Sequence, residues 1–413
     1  MKKYFILATA ALVALTACTK VDVPTTVENS KKISFQVANY VAQTKAEETV
    51  ELTETKTFSS KAWLHANGDA AGTPFFGTAD TWTETISRNP STDASAYTWE
   101  PSLEYFWPKG TGSYINFISW YATGSKDPSV PDETHMNWGS STSALEIAGT
   151  DNFLFADEAW RYSDNATSTY NNKVSSGVPT LFHHALAKLA FNVRLSTKTA
   201  SAKTIWDVDI KDVTIVVGNK GYLNLVNEDN RTTGTKAWKV GTSYGSGAAA
   251  TSANYGWTAV EGTETIVETT SSATSGVTKE VTLPSTMILK PFDATTSAPA
   301  TSGDFQALLA ERTVMPQTVN GGVATFAMTF TIKLFHANDS HEKVGDAYST
   351  EDVTVSATNL YTLANTIAAW NMNTKVTYNI TIDPVGKKIL FDPAVADWAS
   401  ANNGENGDQV YPL

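Results

Sequence analysis

One run of this chain permits little but an extended conformation. From Leu181 to Leu195 the odd-numbered positions Leu181, His183, Ala185, Ala187, Leu189, Phe191, Val193 and Leu195 are all small or apolar-compatible. Strict alternation puts these positions on one side of a strand, whereas a helix would scatter them around its circumference. The same period recurs at Ile33–Tyr40, and β-branched and aromatic residues bounded by Gly, Pro, Asn and Asp mark further strands at Phe58–Ala66, Tyr97–Trp107 and Tyr114–Tyr121. The β pattern continues at Ile205–Val217, Tyr222–Leu225, Val281–Leu289, Val323–Phe335 and Lys375–Ile382. Lys387–Phe391 adds a short strand, with Asp392-Pro393 as its break. Asp304–Arg312 has helical spacing instead, and Gly241–Ser275, rich in Gly, Ser, Thr and Ala, reads as a long loop or hairpin. Many short strands with few helices predict an all-β protein of two tandem β-sandwich domains. The stretch from Arg161 to Gly177 has almost no aliphatic residue and many turn formers, which sets the boundary there. The domains expected are residues 31–177 and 178–398, followed by a C-terminal tail at 399–413.

The start of the chain has a different character. Lys2 and Lys3 precede an apolar run from Tyr4 to Leu15, then Thr16, Ala17 and Cys18, the only cysteine of 413 residues. A charged segment, a short apolar segment and a small-residue cleavage site make an export signal. The apolar run is too short to span a hydrocarbon core of roughly 30 Å. Leu15-Thr16-Ala17-Cys18 looks like a bacterial lipobox, so residues 1–17 are expected to be removed and Cys18 to carry lipid. Residues 18–30 then form a tether between an outer-membrane lipid and the fold. Lipidation of Cys18 would leave no thiol for disulfides, metal ligation or nucleophilic catalysis. The net charge is −12, and loss of Lys2 and Lys3 makes it more negative. This argues against nucleic acid as a partner, because an acidic surface offers phosphates no counter-charge.

Residue patterns that carry chemistry are scarce. His183 and His184 are neighbours in a strand and point to opposite faces, with His183 expected as the inward, hydrogen-bonded one. His336 and His341 flank a loop with Asp339, where a zinc site would need a further ligand and a firmer scaffold. Asp207, Asp209 and Asp212 lack the glycine and distal glutamate of a calcium loop and read as the solvent face of a strand. Asp157-Glu158 is the one carboxylate pair that could be named for glycoside hydrolysis. No nucleophile elbow, zinc-protease helix or phosphate loop is present. Nothing specifies an enzyme or a cofactor. The aromatic residues Trp99, Tyr105, Phe106, Trp107, Trp120 and Tyr121 are expected in a core, with Trp107, beside Pro108-Lys109-Gly110, the best candidate for an exposed sugar platform.

Taken in order, several segments resemble the fimbrillin family of Bacteroidales lipoprotein pilins. They are the lipobox, Ile33-Ser34-Phe35 followed by Gln43-Thr44-Lys45-Ala46, and Tyr105-Phe106-Trp107-Pro108 before Tyr114-Ile115-Asn116-Phe117. Further on come Asp151–Ala156, Phe182–Leu189, Tyr378–Ile382 and Asp397-Trp398. The resemblance implies two transthyretin-like β-sandwich domains, no enzymatic activity, and assembly with other fimbrial subunits. It also implies a maturation protease of trypsin-like specificity that cuts after the first strand. The groove so opened is filled by a C-terminal strand of a neighbouring subunit. Carried onto this chain, the displaceable strand holds Ile33, Phe35 and Val37. No arginine lies between Cys18 and Arg88, so the cut falls to Lys45 or Lys56. The tail, with Val410, Tyr411 and Leu413 as its only large apolar residues, makes a poor donor, and Ile389 and Phe391 are the candidate donor positions. The alternative reading is a tip adhesin, an anchor, or a glycan-binding surface lipoprotein that does not polymerise and whose partner is a glycan or a host protein.

Overall fold

The computed structural model describes residues 31–39, 57–66, 71–77, 82–89, 98–108, 112–163, 172–173, 177–195, 204–227, 235–236, 238–239, 256–260, 262–269, 288–289, 305–338, 343–364, 367–383 and 387–397. Cys18, Lys45, Lys56 and the tail at 399–413 lie outside them, as do Asp339 and His341. The described chain is nearly all β.

An 11-stranded sheet dominates the first half. It contains β1 (Phe35–Asn39), β2 (Thr57–His65), β3 (Thr73–Pro74), β4 (Glu84–Asn89), β5 (Thr98–Pro101), β6 (Tyr114–Ala122), β10 (Phe153–Ala156), β11 (Glu158–Ser163), β12 (Asn172–Lys173), β13 (Val178–His184) and β17 (Thr235–Lys236). Its pairings close on themselves: β6–β2–β4–β5–β1–β13–β10 and back to β6. Within this circuit Phe35, Phe58, Phe76, Ile86, Trp99, Trp107, Phe117 and Phe182 pack as one core.

A 6-stranded sheet joins segments far apart in the chain: β7 (Ser129–Asp132), β8 (His135–Trp138), β9 (Leu145–Glu146), β16 (Lys220–Asn227), β18 (Trp238–Lys239) and β19 (Gly256–Ala259). It helps enclose a second core with Ile118, Trp120, Trp138, Phe153, Phe155, Leu223 and Trp257. Strand β6 therefore has two dry faces, Ile115 and Phe117 on one and Ile118 and Trp120 on the other. The indole N–H groups of Trp238 and Trp257 donate to Ala156 O (2.7 Å) and Ala185 O (2.6 Å), satisfying buried donors across this junction.

The third core lies among a 4-stranded sheet, β14 (Ala187–Leu195), β22 (Gln306–Val314), β27 (Thr374–Asp383) and β28 (Lys388–Asp397), and a 5-stranded one. The latter holds β15 (Thr204–Gly218), β20 (Thr263–Thr269), β21 (Ile288–Leu289), β24 (Thr325–Ala337) and β25 (Lys343–Asn359). The pair β23 (Gln317–Thr318) and β26 (Ala369–Trp370) and the helix α1 (Leu360–Ala364) complete the described elements.

Four local expectations are corrected. The run from Leu181 to Leu195 is two strands, because the chain bends at Ala185-Leu186, both fully buried. Even positions (Val178, Thr180, Phe182, His184) are inward before the bend and odd ones (Ala187, Leu189, Phe191, Val193) after it. Asp304–Arg312 is not helical. It belongs mostly to β22, whose irregular register against β14 turns both Leu308 and Leu309 inward and so imitates helical spacing. Part of Gly241–Ser275 forms β19 and β20. Finally, Asp392-Pro393 does not end the last strand, which continues to Asp397, because Pro is tolerated on a sheet edge.

Candidate functional site: the seat of the first strand

Strand β1 lies inside the circuit, parallel to β13 on one side and antiparallel to β5 on the other. Its alternating sequence divides the strand sharply. Ile33 and Phe35 are 1% and 2% exposed, Val37 is half-buried, and Gln36 faces outward. The Phe35 ring meets Phe58 and Phe117 edge-on, each at 5.6 Å between centroids, with Phe76 at 6.3 Å. Such edge-to-face geometry adds to the burial of the ring itself.

The main chain is gripped from both flanks. Val178 N–H donates to Ser34 O (2.7 Å), Ile33 N–H to Tyr105 O (2.8 Å) and Trp107 N–H to Lys31 O (3.2 Å). Lys32 forms an ion pair with Glu104. At Gly177, φ is +119°, and a Cβ there would stand 3.0 Å from both Gln36 N and Phe35 C, so glycine is what lets β1 approach.

The segment from Ser102 to Trp107 straps over the start of β1 and is itself held by a buried carboxylate. Glu84, 3% exposed on β4, accepts hydrogen bonds from Ser102 N–H (3.0 Å), the Ser102 hydroxyl and the Tyr105 hydroxyl (2.8 Å). Tyr105 in turn accepts from Gly77 N–H (3.0 Å). Burial is the largest influence on Tyr105 and pushes it up to about 12, so the phenol keeps the proton it donates. None of these bonds involves β1, so the strap has its own support. Sequence reasoning missed Glu84 and Gly177. The alternation of Glu84 with Ile86 was the available sign that this acid points inward.

The other named residues fall elsewhere. Ile389 and Phe391 are half-buried on β28, which among the described residues pairs with β27 alone and is an edge strand. His184, not His183, is the more buried of the two; its ring Nδ1 lies 3.2 Å from Asn152 Oδ1, and its backbone N–H donates to Asn373 Oδ1 (3.1 Å). Burial first, then Lys188 and His183, lowers His184 to about 3, so it is neutral. His183 instead faces Asp157 at 3.4 Å. Glu158 is buried on β11 while Asp157 is half-buried between β10 and β11. His336 stacks on Tyr348 (4.3 Å). Asp209 pairs with Lys333 (2.6 Å), Asp212 is exposed, and nothing is described of the Asp207 side chain. Trp107, the best candidate for an exception to the core reading, is 3% exposed, and its ring packs edge-on against Phe117 in the circuit core. Trp99 and Trp120 are buried and Tyr105, Phe106 and Tyr121 half-buried, while among the described residues Trp82 is an exposed tryptophan.

No protein-family model matches the sequence, and no curated protein matches it. Among solved structures, a fimbrial protein from Bacteroides vulgatus superposes with a TM-score of 0.50 at 15% identity, over 90% of this chain and 100% of that one. A fimbrilin from Porphyromonas gingivalis aligns at 9% identity and a TM-score of 0.33, over 90% of this chain and 98% of that one. In fold, this chain is similar to the Bacteroides vulgatus fimbrial protein over nine-tenths of its length, the 90% that the superposition covers.

Proposed function

We propose that this chain is a non-catalytic structural subunit of a cell-surface fimbria, assembled by exchange of its first strand. The observation that carries the reading is the place of β1 inside a closed circuit of strands, with Ile33 and Phe35 fully buried. Taking away an edge strand would merely trim a sheet. Taking away β1 would open the circuit, uncover an aromatic pocket, and leave main-chain groups of β13 and the strap unpaired. Such a slot is a template for strand addition. Each anchor restored to full burial contributes about 1.5–3 kcal/mol. Head-to-tail filling is a heterologous contact and grows filaments.

In this reading the precursor is held at the outer membrane through lipid on Cys18. A protease cuts at Lys45 or Lys56, both between β1 and β2, and the partners are other fimbrial subunits. The test is limited trypsin digestion of soluble protein beginning at Thr19, followed by intact mass and electron microscopy. A cut between β1 and β2 accompanied by filaments is expected. Cut protein that releases β1 and stays monomeric at high concentration would remove the polymerising role and leave the adhesin reading.

A further inference from the structure

Glu84 is an unusual residue for the interior of a β circuit. It is almost fully buried, and among the described residues it meets hydrogen-bond donors but no cation. Burying a carboxylate without a neutralising partner is far less favourable than burying an apolar side chain of that size. What the carboxylate supplies is reach, because its two oxygens hold two different segments. Oε1 accepts from the Ser102 hydroxyl and from Ser102 N–H, which is shared with Thr85 O, and so fixes the start of the strap. Oε2 accepts from the Tyr105 hydroxyl, whose oxygen in turn accepts from Gly77 N–H.

Each segment supplies one half of the seat. The strap offers the main-chain edge, with Tyr105 O accepting from Ile33 N–H and Trp107 N–H donating to Lys31 O. The segment ending at Gly77 offers the pocket wall. Phe76 lies 4.6 Å from the Tyr105 ring, 5.6 Å from Phe117 and 6.3 Å from Phe35 between centroids. Phe75 closes on the Tyr105 ring at 5.7 Å. The path from Glu84 through Tyr105 thus reaches both edge and wall, and no residue of β1 lies on it.

We propose that Glu84 is the positioning residue of the seat: it holds strap and pocket wall in their filled shape after β1 has gone, so that the next strand enters a preformed slot. This deepens the strand-exchange reading and rests on it, but makes no choice of donor. A pocket emptied of Phe35 is driven to close on itself, since Phe58, Phe76 and Phe117 all line it. A collapsed pocket has to reopen before a strand can bind, which slows entry and weakens the complex. Glu84 opposes collapse, because moving Phe76 inward pulls Tyr105 away and leaves a buried carboxylate oxygen unsatisfied.

The experiment uses the soluble chain beginning at Thr19, with a specific protease site inserted between β1 and β2, cut and freed of β1. Amide hydrogen exchange reads the empty seat. Trp107 N–H and Val178 N–H, which donate to Lys31 and Ser34, are expected to lose protection with the strand. Ser102 N–H and Gly77 N–H, which donate into the Glu84 network, are expected to keep it. The second readout is the rate at which a labelled peptide of residues 31–39 enters. In the parent chain this rate should rise linearly with peptide concentration, as for a preformed site. In Glu84→Gln and in Tyr105→Phe it should level off at a reopening rate about tenfold lower, with peptide dissociation unchanged. Tyr105→Phe leaves the carboxylate in place and serves as the test if Glu84→Gln does not fold. Ser102 and Gly77 exchanging as fast as Trp107 in the emptied chain would overturn the proposal. So would variants that take up the peptide as quickly as the parent, since Glu84 would then matter only to folding. In both cases peptide binding leaves the strand-exchange reading standing, whereas an emptied chain that binds no peptide sinks both.

Discussion

Strands β1 and β28 share an apolar signature yet stand in opposite mechanical positions. β1 has a partner on each side and, with the residues leading into it, two side chains sealed from water, while β28 has one partner among the described residues and Ile389, Phe391 and Val395 half in solvent. Yet β28 is paired with β27 at ten positions, from Thr374↔Asp397 to Asp383↔Lys388, far more than the five that join β1 to β13. Hydrogen bonds to a single neighbour exchange against bonds to water at about 0.5–1.5 kcal/mol each, whereas an unmet group buried in the slot costs about 1–3. The comparison teaches that pairing length is a poor guide to how firmly a strand is held. Burial of the few side chains it carries, and whether its neighbours can turn to solvent once it leaves, decide the matter.

The largest effect should separate the two strands directly. Phe35→Ala is expected to lower stability by about 3–5 kcal/mol, since its aromatic neighbours cannot collapse into the space. Phe391→Ala should lose about 1–2 kcal/mol, because solvent already reaches that ring. Equal losses in urea titrations of the intact chain would break the contrast between centre and edge.

The next test concerns the seat itself. Tyr105→Phe removes a donor from the buried Glu84 and an acceptor from Gly77, at an expected cost of about 1–3 kcal/mol. The same variant should bind the 31–39 peptide more weakly after cleavage. Unchanged peptide affinity would mean that the strap takes no part in recognition. Gly177→Ala forces a Cβ into contact with β1 at a φ of +119° and should cost about 1–3 kcal/mol of stability.

A pH titration sharpens the comparison at the bend between β13 and β14. His184 is held neutral, lowered to about 3 by burial, Lys188 and His183, while the unfolded chain protonates it near its ordinary value of 6.5. The unfolded state therefore binds the extra proton in the window between these values, and stability falls as pH drops below about 6.5. The loss from this residue should reach about 2 kcal/mol at pH 5. His184→Asn should flatten that part of the profile in thermal melts from pH 7 to pH 4. The smallest effect belongs to Lys32→Ala, whose exposed ion pair with Glu104 should leave the melting temperature unchanged while peptide binding becomes less salt-dependent.

Much of the chain was legible from its own residues. Alternation in Ile33–Tyr40 and Lys375–Ile382 reports the extended backbone directly, because a strand's period is local and the residues that obey it are consecutive, while Tyr114–Tyr121 was legible only from its β-branched and aromatic residues, being buried on both faces. The inward pair Ile33 and Phe35 follows from the same rule. What the tertiary structure decided is everything that depends on which strand meets which. Circuit closure through β6 and β2 and the placing of β1 between β13 and β5 are set by contacts between residues tens of positions apart. The bend at Ala185-Leu186 and the irregular register that makes β22 look helical have the same origin. Local periodicity chooses a face for each side chain, but only packing against distant partners settles whether that face is a core, an edge or a slot that another strand can fill.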